Sequence, residues 1–262
     1  MLTTFMLLLD YLLSWVFLLP VKDDRSRHRS FPYMTAGLVI LNTAIHVSFY
    51  YWLPQQIGDE EVWLALRMQL MSLPTSILAG EGLGALSLIT SAFLHANWSH
   101  LIGNMLFLIF FARKLEDLLG PIKFGLFYLV CIFVSGVGSV LGEAALPFTQ
   151  GTIPSLGASG AVMGVMGAYL FLYPEQRIRT LVMVFIPIPF VLRMPAWVFI
   201  LYTVLGDILR GWLQQEFETM EMIYNLVGSF AHVGGVIAGL TCLYFFLPTE
   251  MLHYRHRVER KM

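Results

Sequence analysis

Charge is scarce in this chain of 262 residues: 13% are Asp, Glu, Lys or Arg, against 57% hydrophobic. A water-soluble globule of this length needs more charge to cover its surface, and a mean hydropathy of +0.71 points the same way. The net charge of -1 gives no basic surplus for binding nucleic acid. Cysteine is nearly absent. Cys131 and Cys242 both lie in apolar runs, which argues against a disulfide framework. There is no cysteine-rich metal spacing and no His-Glu-x-x-His, so neither a metal site nor a metalloprotease is expected. Gly136 to Gly142 (GVGSVLG) misses the dinucleotide fingerprint, and no cofactor is implied. Tandem repeats and low-complexity tracts are also missing. The opening MLTTFMLLLD lacks a basic n-region and a following small-residue cleavage site, so it does not read as a cleaved signal peptide.

Long apolar stretches are what the chain has. Several approach the ~20 residues needed to cross a bilayer. Six spans can be placed: Met34 to Leu53, His100 to Ala112 (beginning a few residues earlier), Phe124 to Ala144, Ala158 to Tyr173, Pro195 to Trp212, and Phe230 to Leu247. Residues 1–19 form a further apolar stretch broken by Asp10, a seventh span or a helix lying in the interface. The expected fold is an all-α polytopic membrane protein built on a six-helix bundle. Residues 1–30 would be an apolar helix and a basic cytoplasmic segment, 31–247 the membrane domain, and 248–262 a basic cytoplasmic tail.

Basic residues check this topology independently. Fourteen of the 16 Lys and Arg fall on one side of the six-span arrangement, and only Arg67 and Arg210 on the other. Both ends of the core should therefore face the cytoplasm. The longest connection, Pro54 to Asn97, lies on the opposite side and contains an apolar stretch, Val62 to Leu73, that could dip into the interface. Thr180 to Met194 carries IPIP and precedes Pro195. Proline breaks helix, so this segment reads as a membrane-skimming approach to the fifth span.

Polar groups inside spans are expensive and mark function more often than they do in water. Three clusters stand out. Gly157-Ala158-Ser159-Gly160 opens the fourth span, followed by Gly164 and Gly167. Small residues of this kind commonly serve close helix packing, and a serine can bond back to its own helix. Alternatively, Ser159 is a nucleophile at a helix start, where free N–H groups can bind an oxyanion. His232 opens the sixth span, followed by the small-residue pairs Gly234/Ala238 and Gly235/Gly239. Packed against Gly160/Gly164, these would bring His232 to Ser159 as an activating base. His232 could also be a structural histidine. His100 and Asn104 share one helix face at the start of the second span. They read either as interhelical polar glue or as side-chain donors to an oxyanion, with His95 and Asn97 just upstream. By topology all three clusters sit at similar depth and open to the same side, a coincidence that unrelated packing residues would not produce.

HANWSHLIGN, GASG and AHVGGVIAG, in that order on alternate spans, resemble the rhomboid intramembrane serine proteases over roughly residues 20–247. The resemblance implies Ser159 as nucleophile and His232 as general base and acid. His100, Asn104 and the Ser159 backbone would form the oxyanion hole, with His95, Gly157, Gly160, Gly235 and Gly239 in support. It implies a dyad with no acidic third member, and none is well placed in the second, fourth or sixth span. The sequence departs from the pattern at Met163, where many members carry Tyr, and in the long loop, where Trp63 and Arg67 stand apart. The implied partners are the lipid bilayer and single-span protein substrates whose helices unwind easily, since helical carbonyls are otherwise protected. By topology the site opens to the non-cytoplasmic side, and the expected membrane is the bacterial cytoplasmic one. The fifth span and the loop Leu213 to Val227, acidic at Glu216, Glu218 and Glu221, are gate candidates. Two rival functions are an inactive rhomboid-like client-binding protein, which would lack Ser or His, and a channel or transporter, for which no inverted repeat is visible. Lesser signals read as structural: the Asn97-Trp98-Ser99 sequon, Asn42 with His46, and Glu116 and Asp117 as an ion-pair network with Arg113 and Lys114.

Overall fold

The computed structural model describes residues 17–24, 30–146, 149–183, 190–214 and 220–247. Helices dominate. In chain order they are α1 (Tyr33–Val47), continued by a wider π turn at Ser48–Trp52 into α2 (Leu53–Ile57), then α3 (Glu60–Leu70), α4 (Pro74–Ala79) and α5 (Ser87–Thr90). There follow α6 (Trp98–Leu119), α7 (Pro121–Ala144), α8 (Ser159–Leu172), α9 (Ala196–Gln214) and α10 (Met220–Cys242). Among the described residues, three continuous helical stretches, Tyr33–Ile57, Pro121–Ala144 and Leu226–Phe245, are long and apolar enough to cross a membrane. Ser159–Leu172 and Ala196–Leu209 are shorter apolar helices. Gly160 through Tyr169 of α8 are all buried, so this helix meets other helices rather than lipid.

Helix ends follow local chemistry. Asn97 caps α6 by accepting the His100 N–H at 2.9 Å. Gly120, at φ +79°, ends α6, and Pro121 starts α7; only glycine takes that backbone without strain, while proline's fixed φ suits a first helical position. The N-terminus of α1 has no cap of its own. Glu116 of α6 supplies one, accepting from Met34 N, Thr35 N and Thr35 Oγ1 at 2.8, 2.8 and 2.6 Å. Asp117 accepts from the backbone and hydroxyl of Ser30. Glu116 and Asp117 therefore hold the entry to α1, and among the described residues Lys114 pairs with Asp23.

The all-α expectation is wrong in one respect. A three-stranded antiparallel sheet joins β1 (Phe17–Asp23), β2 (Arg177–Met183) and β3 (Phe190–Pro195), in that order. Thr180 to Met194 is thus strand wherever it is described, and residues 17–19 are strand rather than helix. The rest of the apolar N-terminal stretch and the basic tail lie outside the described residues. In β2 the side chains of Ile178, Thr180 and Val182 are buried and alternate with more exposed neighbours, the period of two that defines a half-buried strand. Asp23 fastens β1 to the bundle, accepting from Lys114 Nζ of α6 at 2.7 Å and from Tyr169 Oη of α8 at 2.8 Å. At the other end of the bundle, Ser72 and Ser155 exchange backbone hydrogen bonds, tying the long loop to the segment before α8.

Candidate functional site

The site begins with helices that approach unusually closely. A Cβ on Gly235 would collide with Gly160 O, and one on Gly239 with Gly164 O. A Cβ on Gly160 would meet Ser135 of α7 at 2.6 Å. The glycine faces of α8 and α10 are therefore interleaved, as their spacing implies. This sets the register that puts His232 Nε2 2.7 Å from Ser159 Oγ.

Ser159 is the first residue of α8, and a helix's first N–H groups have no partner within it. Gly157, two residues earlier, has φ +120°, and its N–H donates to Ser91 O at 2.9 Å. A Cβ there would stand 2.6 Å from His100 Cε1, so the backbone conformation and the neighbouring ring both require glycine. His100 and Asn104 of α6 line a cavity of about 770 Å³ with Ser159, His232, Arg67 and Thr203. Asn104 Nδ2 is buried and has no hydrogen-bond partner among the described residues. A second cavity of about 50 Å³, lined by Ser91, Ser135, Ser139 and Ser155, lies behind Ser159.

His95 is fully buried against the His100 ring, centroids 5.3 Å apart, with His46 on another side. Burial, with His100 and His46 nearby, holds its imidazole far below the ordinary histidine value, at about 3. It lies outside the lining of the cavity. Met163 lines the cavity. Trp63 and Arg67, apart in sequence terms, meet in space: the Arg67 guanidinium lies 5.7 Å from the Trp63 ring and 5.5 Å from that of Tyr50. Asn97 serves as a helix cap, and Asn42 bonds within its own helix to Leu38 O. The supposed acidic loop Leu213 to Val227 is mostly helix, and its remaining residues 215–219 lie outside the described ones.

The sequence reading missed one residue at this site. Asp207 of α9 places Oδ2 2.7 Å from His232 Nδ1. The expectation of no acidic partner rested on the second, fourth and sixth spans, whereas this carboxylate belongs to the fifth. A single carboxylate within the apolar run Ala196 to Leu209 was the available signal.

A profile of the Rhomboid domain matches residues 84–249. RHOMBOID-like protein 6, mitochondrial, of Arabidopsis thaliana is 34% identical over 167 residues, covering 61% of this chain and 43% of the relative. The human Presenilin-associated rhomboid-like protein, mitochondrial, is 29% identical over 153 residues, covering 58% and 36%. The Putative rhomboid protease YdcA of Bacillus subtilis is 36% identical over 85 residues, covering 32% and 40%. The matched stretches span less than half the length of these curated relatives. Because relatives include proteins named as mitochondrial, they give no support to a bacterial cytoplasmic membrane in particular. The matched domain, the apolar helices and the motifs within them make this chain an integral membrane protein of the rhomboid family.

Proposed function

We propose that this chain is an intramembrane serine endopeptidase, with six of its helices crossing the bilayer and its cavity opening to the non-cytoplasmic side. The observation that carries the reading is the 2.7 Å contact between Ser159 Oγ and His232 Nε2 at the wall of a cavity into which His100 and Asn104 also face. A serine hydroxyl is a weak nucleophile until a base takes its proton. In this reading His232 Nε2 accepts that proton as Ser159 Oγ attacks a peptide carbonyl carbon. The carbonyl π electrons move to oxygen, and the resulting oxyanion is held by the Ser159 N–H, His100 and Asn104 Nδ2. The imidazolium then protonates the leaving amine as the C–N bond breaks. Water attacks the acyl-enzyme with His232 again as base, and Ser159 recovers its proton. The serine-lined cavity behind Ser159 is roomy and polar enough to hold water for this second step.

The substrate class follows from lipid physics. Every backbone carbonyl of a helix in hydrocarbon is already bonded, so the expected substrates are single-span proteins with Gly, Pro or polar residues that unwind near one end. Cleavage of a labelled single-span substrate in liposomes tests the reading. Wild type should cut, whereas Ser159→Ala and His232→Ala should not. Binding of such substrates without cleavage by the wild type would instead favour a client-binding role.

A further inference from the structure

Asp207 lies on α9 in line with Phe199 and Thr203. Their spacing of four residues puts all three on one helix face. Phe199 is buried, its ring centroid 6.0 Å from that of Phe107 and 5.8 Å from that of Phe111, both on α6. One turn on, Thr203 lines the cavity. A turn further, Asp207 meets His232, and its backbone carbonyl accepts from Ser229 Oγ of α10 at 3.3 Å. The stripe thus turns from aromatic anchor to cavity wall to ring partner.

The ring is held at both nitrogens: Asp207 Oδ2 at Nδ1 and Ser159 Oγ at Nε2, each at 2.7 Å. A carboxylate accepts hydrogen bonds and donates none. Opposite Nδ1 it selects the tautomer carrying its proton there and leaves the Nε2 lone pair facing Ser159. The same carboxylate faces the positive charge that forms when Nε2 takes a proton. Asp207 is 20% exposed and His232 17% exposed, so water screens the pair only in part. From this geometry we propose that Asp207 is a positioning residue for His232, supplied by a helix other than those that carry the Ser–His pair. The proposal rests on the protease reading for its kinetic consequence. The competing account is that Asp207 and His232 are polar glue between α9 and α10.

Asp207→Asn and Asp207→Ala separate the two accounts. In liposomes, Asp207→Asn should lower kcat about 100-fold or more while KM stays within about twofold, because the amide can hydrogen-bond but no longer fixes the tautomer. Placed on His232→Ala, it should add no further loss, since groups acting as a unit are not additive. Nitrogen-15 spectra of histidine-labelled protein in detergent should place the His232 proton on Nδ1 in the wild type and move it in Asp207→Asn. Glue would give the opposite pattern: Asp207→Asn within about threefold of wild-type kcat, an unmoved tautomer, and a loss confined to Asp207→Ala with reduced thermal stability. That result overturns the proposal. If the wild type cleaves nothing, the protease reading fails by itself, and the tautomer measurement, which needs no substrate, still decides whether Asp207 fixes the ring.

Discussion

Replacing Asn104 with Leu should move activity and stability in opposite directions. Asn104 is 8% exposed, and its Nδ2 finds no partner among the described residues. A buried donor without a partner costs about 1–3 kcal/mol of folding stability. Leu keeps the same branching and number of side-chain heavy atoms and removes the donor, and the adjoining cavity leaves room for its larger methyl groups, so Asn104→Leu should unfold at a temperature equal to or above that of the wild type. The function assigned to Nδ2 exists only when charge appears on the carbonyl oxygen. Loss of one such donor costs roughly 3 kcal/mol in the transition state, about 100-fold in kcat. The assay pairs thermal unfolding in detergent with turnover of a single-span substrate in liposomes. KM should change little, because the ground-state carbonyl does not need the bond. Turnover of Asn104→Leu within about threefold of the wild type would refute the oxyanion role. A clear drop in unfolding temperature would refute the argument that Nδ2 is an unpaid burial.

Two further outcomes follow from groups outside the cavity. Glu116→Ala strips the α1 N-terminus of three hydrogen bonds to a buried carboxylate; it should destabilise the protein by about 2–4 kcal/mol, read by denaturant titration in detergent, and a loss below about 1 kcal/mol would mean that α1 does not depend on this cap. His95 has its folded value depressed to about 3 from an ordinary 6.5. The unfolded chain therefore binds its proton first as pH falls, so stability is full above 6.5 and declines progressively from there toward 3. Melting temperatures between pH 7 and pH 5 should accordingly fall less steeply for His95→Gln than for the wild type, and equal slopes would show that His95 does not govern this window.

The parts of this fold that were legible in sequence are those written in small residues and spacing. Gly160 and Gly164 against Gly235 and Gly239 specify which helices touch, and that contact brings Ser159 and His232 together. His100 and Asn104, one turn apart, fix a common face. What the sequence concealed was written in a different period or carried by a single residue. The Arg177–Met183 stretch alternates buried and exposed side chains, but hydropathy averaged over a membrane-length window blends Arg with Ile and Val and hides the strand. Glu116 sits beside Arg113 and Lys114 in sequence, which suggests an ion pair, yet its partners are N–H groups some 80 positions away. Such a bond depends on where α1 docks, which no local pattern encodes. Asp207 was visible as an isolated charge in an apolar helix, but its partner could be named only once α9 was placed against α10.

The sheet makes α9 a lever. Pro195 ends β3 and Ala196 begins the helix, while Ala196 N and Trp197 N donate to Gln176 O and Pro174 O at 2.8 and 3.1 Å. The helix is therefore gripped at its foot. Asp207 stands 11 residues up the shaft, about 16 Å away at the rise of an α-helix. At that radius a tilt of about 10° sweeps the carboxylate through roughly 3 Å, as far as its hydrogen bond to His232 is long. A rotation too small to disturb the foot would be enough to disengage the carboxylate at the top.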